Sequence, residues 1–214
     1  MIHGYRQTEK AFREKTGGLR KSLKNYAEFV FCEACHTVPK LDCENLDIDQ
    51  VNGEDKGWWF SSDDRQYNAL LHTGCDQGFE QSLEHLDKVF ESQGPFDGIL
   101  AFSQGACIGS ILCQISKINE TSEHKFKNIK FKFAILVAGF KSRQSQHDSY
   151  YEKKIQVPTL HIMGESDRVI PKEMSISLLD YFFEPKIFEH SGGHFVPTNA
   201  EAKNSIIQFL DSIQ

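Results

Sequence analysis

Apolar residues along this chain fall into two alternating rhythms. Short runs at residues 27–32, 96–102, 131–137, 157–163 and 186–189 predict β-strands, and the stretches between them place apolar residues at helical spacing. In 78–94, Phe79, Leu83, Leu86, Val89 and Phe90 keep to one face, and Gly94-Pro95 stops the helix. Further helices are predicted over 104–116, over 172–183 behind Pro171, and over 199–213, where Ile206, Phe209, Leu210 and Ile213 form the buried stripe. Ahead of the first strand, Ala11, Phe12, Leu19 and Leu23 fall at helical spacing, interrupted by Gly17-Gly18. Residues 33–77 read as mostly irregular, with Trp58-Trp59-Phe60 as their one strongly apolar cluster, and a loop of that length is usually functional. Residues 119–128 read as a polar excursion without a function. The near-continuous apolarity of 131–137 fits a strand covered on both faces. Strand and helix alternate throughout, which predicts an α/β fold with a doubly wound, mostly parallel sheet and helices on both faces. No linker or repeat divides the chain, so 1–214 is expected to be a single domain.

Composition narrows the function classes. The net charge is −6 with basic residues scattered among acids, which leaves no footprint for nucleic acid. Every apolar run falls well short of the roughly 20 residues of a membrane span. No signal-peptide pattern follows Met1, so the expected compartment is the cytoplasm, with the nucleus left open as a second. Of the six cysteines, Cys107 and Cys113 read as small packing residues. Cys32-Glu33-Ala34-Cys35-His36 has the spacing of a c-type haem attachment. In a chain without an export signal it reads instead as two reduced thiols at a strand end.

The chemistry concentrates around Ala101-Phe102-Ser103-Gln104-Gly105. A strand that ends in a serine flanked two residues away by small residues can turn sharply into a helix, leaving the hydroxyl exposed: a nucleophile elbow. Ala101 stands where the smallest residue would be glycine, at the cost of one methyl of crowding. By itself the pattern could be a capped turn. Downstream, however, Asp167 follows the strand at 157–163 and His194, in Gly192-Gly193-His194, follows the strand at 186–189. The order serine, aspartate, histidine is that of α/β-hydrolases, and all three residues lie where parallel strands end. Imidazole can take the serine proton and return it to the leaving group, while a carboxylate fixes its tautomer. The oxyanion donors are expected from the backbone N–H of Gln104 and, beyond His3-Gly4, of Tyr5. Trp58 and Trp59 are either core or an acyl-pocket wall, and Phe195 is a further pocket candidate.

The segments His3-Gly4-Tyr5-Arg6-Gln7, Trp58-Trp59-Phe60, Gly94-Pro95-Phe96-Asp97-Gly98, Phe102-Ser103-Gln104-Gly105-Ala106, Asp167-Arg168-Val169-Ile170-Pro171 and Gly192-Gly193-His194-Phe195-Val196-Pro197 resemble those of the FSH-type serine hydrolases, a fungal family with animal members. The resemblance implies an α/β-hydrolase-fold carboxylesterase without metal or organic cofactor, with a small-molecule or lipid-like ester of medium to long chain as substrate. It places Ser103, Asp167 and His194 on the family's triad. Family members also carry an apolar strand before the histidine-glycine pair, where this chain has only Met1-Ile2. The first strand is therefore expected to be truncated, leaving backbone groups unpaired beside the elbow strand. An acyl-protein or acyl-CoA thioesterase is the alternative within hydrolases, and an inactive hydrolase-fold binding protein the alternative outside them.

Overall fold

The computed structural model describes residues 1–39, 55–121 and 125–213. Helices α1 (Glu9–Lys15) and α2 (Gly17–Ser22) come first, followed by the short strands β1 (His36–Thr37) and β2 (Lys56–Gly57), which pair antiparallel. Then come α3 (Phe79–Gln93), β3 (Gly98–Phe102), α4 (Gln104–Thr121), β4 (Phe133–Val137), a 3-10 helix (Ser145–Tyr151), β5 (Thr159–Gly164), α5 (Lys172–Leu179), β6 (Lys186–His190) and α6 (Ala200–Ser212). The main sheet is parallel in the order β3-β4-β5-β6, with the register running from Gly98 opposite Phe133 to Phe102 opposite Val137 in its first pair. Parallel neighbours need a crossover between them, so every strand points its carboxyl end at the same rim. Ser103, Asp167 and His194 follow β3, β5 and β6 at that rim.

Burial follows the predicted pattern. In β3 and β4 four of five residues are buried and in β5 all six are, as expected for strands covered on both faces. Helix α4 is buried from Gln104 to Cys113 without a break, because small residues let it lie close against the sheet. The Ala101 methyl finds room against Gly109, where a β-carbon would come within 3.1 Å of it. Cys107 and Cys113 are fully buried, and desolvation raises both thiols, in keeping with packing roles.

Four expectations need correction. Residues 27–31 do not form a strand, and Cys32 makes only an isolated bridge to Ile2. Met1-Ile2 lies between this segment and β3. Ile2 N–H donates to Leu100 C=O at 2.9 Å, Phe102 N–H donates to Ile2 C=O at 3.0 Å, and Cys32 N–H donates to Met1 C=O at 3.0 Å. A cleft of about 720 Å³ lined by Met1, Phe29, Ile99, Phe133 and Ile206 among others lies beside these bonds. The helix predicted to begin at 172 stops at Leu179 rather than 183, because Phe182 turns back to bridge Ile155. Helix α4 runs on to Thr121, into the predicted polar excursion, and the Asn119 amide donates to the carbonyls of Phe126 and Ile129. The first helical stretch breaks at Thr16, so Gly17-Gly18 begins α2 instead of interrupting a helix. Of the predicted irregular stretch, residues 40–54 lie outside the described residues, as do 122–124 of the polar excursion. No helix among the described residues is long and apolar enough to cross a membrane.

Candidate active site

Ser103 adopts φ 55°, a left-handed conformation that costs a non-glycine residue on the order of 1–3 kcal/mol. The surroundings hold it there. Its N–H donates to Val137 C=O at 2.9 Å, and its own carbonyl accepts from Ala106 and Cys107 as α4 begins. The turn aims the hydroxyl at His194, whose Nε2 lies 3.0 Å from Ser103 Oγ. His194 Nδ1 lies 2.7 Å from Asp167 Oδ2. The other carboxylate oxygen, Asp167 Oδ1, accepts the N–H groups of Val169 and Ile170, each at 2.8 Å. The turn-capping role that a lone aspartate suggests and the role of histidine partner are thus served by different oxygens of one buried side chain. The ring of Phe102 lies 4.7 Å from the imidazole and covers it from the β3 side.

The loops carrying Asp167 and His194 are laced together. Ser166 N–H donates to Gly192 C=O at 3.1 Å, and Ser166 Oγ donates to Ser191 C=O at 2.9 Å. A β-carbon on Gly164 would stand 2.5 Å from Gly192 O and 2.7 Å from Gly193 O, so only glycine permits this approach.

Across from the elbow, the segment His3–Gln7 is fixed residue by residue. His3 Nδ1 lies 2.8 Å from Gly4 O, while its Nε2 accepts the Ala34 N–H at 3.0 Å. That pairing sets the neutral tautomer with the proton on Nδ1. Gly4 N–H is held by Gln7 Oε1 at 2.9 Å and Arg6 N–H by Lys56 C=O at 2.9 Å. Between them, Tyr5 N–H has no acceptor among the described residues, and neither has Gln104 N–H at the start of α4. A β-carbon on Gly4 would sit 3.1 Å from Ser103 Cβ, which places this loop directly beside the hydroxyl. The helix start is equally close. A β-carbon on Gly105 would meet His3 O at 2.4 Å and Ile2 O at 2.6 Å, both of them backbone atoms. Gly105→Ala is therefore expected to destabilise the fold by about 3 kcal/mol, readable as a lower urea midpoint at unchanged m-value; an unchanged midpoint would contradict this packing.

The pocket candidates separate. Phe195 is half exposed at the rim and packs on the His190 ring. Trp58 and Trp59 are both 0 % exposed, which leaves them no surface to offer an acyl chain. Their indoles are engaged instead: Trp58 Nε1 donates to His3 C=O at 2.8 Å and Trp59 Nε1 to Gln144 Oε1 at 3.2 Å. Reading the sequence alone also missed the side chain of Gln104. It is buried, accepts Trp58 N–H at 2.9 Å through Oε1, and donates to Trp59 C=O at 2.8 Å through Nε2. The one hint was the choice of a long amide within an otherwise small-residue helix start.

Known proteins similar to this chain in sequence point to one family. The model of the serine hydrolase (FSH1) family matches residues 1–206. An esterase, OVCA2, from Xenopus tropicalis is 43% identical over 213 residues, covering 98% of this chain and 90% of that protein. Esterase CG5412 from Drosophila melanogaster is 40% identical, covering 98% of this chain and 71% of its own length. Among solved structures, the chain resembles acyl-protein thioesterase 2 of Zea mays with a TM-score of 0.60 at 15% identity, covering 99% of this chain and 90% of that one. A monoacylglycerol lipase from Paleococcus ferrophilus gives a TM-score of 0.56 at 13% identity, covering 100% and 93%. At such identities these two speak for the fold alone, which is that of α/β-hydrolases. With a hydroxyl, an imidazole and a carboxylate in hydrogen-bonded series at the sheet rim and a family match over nearly its whole length, this chain belongs to the serine hydrolase (FSH1) family of esterases.

Proposed function

We propose that the protein is a carboxylesterase in which Ser103 is the nucleophile, His194 the general base and acid, and Asp167 the group that orients the imidazole. The observation that carries this reading is the unbroken series Ser103 Oγ to His194 Nε2 at 3.0 Å and His194 Nδ1 to Asp167 Oδ2 at 2.7 Å. Ser103 Oγ attacks the ester carbonyl as its proton passes to His194 Nε2, and the π-electron pair moves onto the carbonyl oxygen. The Tyr5 and Gln104 N–H groups, both without acceptors among the described residues, receive that negative oxygen. Collapse breaks the bond to the alkoxy group, which leaves as the alcohol with the proton from His194. Water then repeats the sequence on the acyl-serine, releasing the acid and restoring the hydroxyl.

The half-exposed Phe195 beside His194 and the exposed Val169 beside Asp167 give the rim apolar surface, which supports esters of medium to long chain. The free thiols among the described cysteines fit work in a reducing compartment, the cytoplasm.

A fluorophosphonate probe is expected to label the wild-type protein at Ser103 and to leave Ser103→Ala unlabelled. Absence of labelling in the wild type would overturn the reading in favour of an inactive binding protein. Turnover of p-nitrophenyl esters from four to sixteen carbons is expected to exceed that of the matching acyl-CoAs, with an optimum above four carbons. The reverse preference would make the protein a thioesterase.

A further inference from the structure

The two proposed oxyanion donors lie on segments about 100 residues apart in sequence, Tyr5 after the first bridge and Gln104 at the start of α4. Something must fix the distance between them, because a displacement of about 1 Å at a reacting centre can cost a hundredfold in rate. We propose that the Trp58 indole and the Gln104 side chain are positioning residues that brace these two donors against each other. The proposal rests on the reading of Ser103, His194 and the two N–H groups given above.

Four hydrogen bonds make up the brace. Gln104 supplies a donor through its main chain, and its side chain reaches back to take Trp58 N–H at 2.9 Å and to donate to Trp59 C=O at 2.8 Å. From the same tryptophan, Nε1 donates to His3 C=O at 2.8 Å. His3 in turn holds Gly4 O at 2.8 Å through Nδ1. In a planar trans peptide the C=O and N–H point in opposite directions. Holding the Gly4 carbonyl against His3 therefore turns the Tyr5 N–H the other way, and the route from one donor to the other is closed through Trp58. Gln104, Trp58 and His3 are all 0 % exposed, so water does not compete for these bonds. The chemistry of each residue suits its part: the Gln104 amide offers an acceptor to Trp58 and a donor to Trp59 at once, and the indole N–H reaches His3 C=O from a rigid plane.

A merely structural role would satisfy the same buried groups, and kinetics separates the two. Three proteins are compared with wild type: Trp58→Phe, Gln104→Met, and a form with 3-benzothienylalanine at position 58, which keeps the indole shape and loses only the N–H. Active sites are counted by fluorophosphonate titration, and kcat and KM are expressed per titrated site on one p-nitrophenyl ester. An alkyl trifluoromethyl ketone, which adds to the serine to give an oxyanion, serves as the probe of the donors. The expected result is a 10- to 100-fold fall in kcat per titrated site, KM within about twofold, and a ketone Ki raised by the same factor as kcat falls. If the variants lose titratable sites while those that remain turn over at the wild-type rate, the residues only support the fold and the brace is wrong. The benzothienyl form decides the matter where Phe or Met variants fail to fold. A wild-type protein with no titratable serine would defeat the underlying reading, whereas unchanged kcat in the variants of an active protein would defeat the brace alone.

Discussion

Ser103→Ala, His194→Ala and the double variant are each expected to hydrolyse p-nitrophenyl esters on the order of a million-fold more slowly than the wild-type protein, with the double variant no worse than either single one. In the proposed mechanism hydroxyl and imidazole act as one unit. Without Ser103 the base has no proton to take, and without His194 the hydroxyl 3.0 Å away has nothing to deprotonate it. A residual acceleration over water remains, because the Tyr5 and Gln104 N–H groups and the apolar rim are untouched. Asp167→Asn is expected to cost about ten-thousandfold for a different reason. Its oxygen would still serve the Val169 and Ile170 amides, but the NH₂ group would face His194 Nδ1 and force the opposite tautomer, with the proton on the nitrogen beside Ser103. Far-UV circular dichroism and urea midpoints that match those of the wild-type protein are expected for all the variants, so that the losses are of turnover rather than of fold. Multiplicative losses in the double variant would contradict a concerted unit.

Stability is expected to fall steeply as pH drops from about 6.5 toward 4. Three fully buried histidines are held neutral: burial lowers His3 from its ordinary 6.5 to about 4, His147 to about 4 and His161 to about 3. Each has a lower pKa folded than unfolded, so the unfolded chain binds more protons between those values. The stability they allow is complete above the unfolded value of 6.5 and is lost as pH falls below it. Each contributes a slope of up to about 1.4 kcal/mol per pH unit, and three together up to about 4. Nearby carboxylates do not reverse the sign. Glu33 stands 4.0 Å from His3 Nε2 and Asp76 3.5 Å from His147 Nε2, but desolvation outweighs them. His161 Nε2 lies 3.1 Å from the Thr159 hydroxyl, the Phe182 ring packs against the imidazole, and burial is what lowers it. Partly exposed His190 adds to the loss, while His36, raised by its bond to Cys35, and Asp76, raised by burial, oppose it. Urea midpoints at pH 7.5, 6, 5 and 4.5 test this, and His161→Phe is expected to flatten the curve by about one proton's slope. A midpoint unchanged between pH 7.5 and 5 would contradict it. Protonation of His3 also requires Nε2 to release the Ala34 N–H, so loss of stability and loosening of the His3–Gln7 loop are expected together.

What could be read along the chain was what local pattern controls. The strands at 96–102, 131–137 and 157–163 were visible because covered parallel strands need apolar residues on both faces, and they appear as β3, β4 and β5 with trimmed ends. Residues 27–32 carry the same apolar signal but make only the single bridge from Cys32 to Ile2, because a ladder depends on pairing with a distant segment and not on side-chain pattern alone. Helix α5 ended early for a similar reason, since the bridge between Phe182 and Ile155 is a contact across the fold. Trp58 and Trp59 show the limit most clearly: their apolarity and their place in a long loop are sequence facts, but which way the rings face is not.

The sequence by itself determined the α/β alternation, the elbow at Ser103 and the order of serine, aspartate and histidine, because each depends on residues close together or on position relative to a strand end. Only the tertiary structure decided that Asp167 divides its two oxygens between His194 and the Val169–Ile170 amides, that the Tyr5 N–H, between two occupied neighbours, has no acceptor among the described residues, and that Gln104 and Trp58 join the loop at His3 to the start of α4. Hydrogen bonds of that kind are set by where a side chain of one segment meets the backbone of another, and separation along the chain carries no record of that meeting.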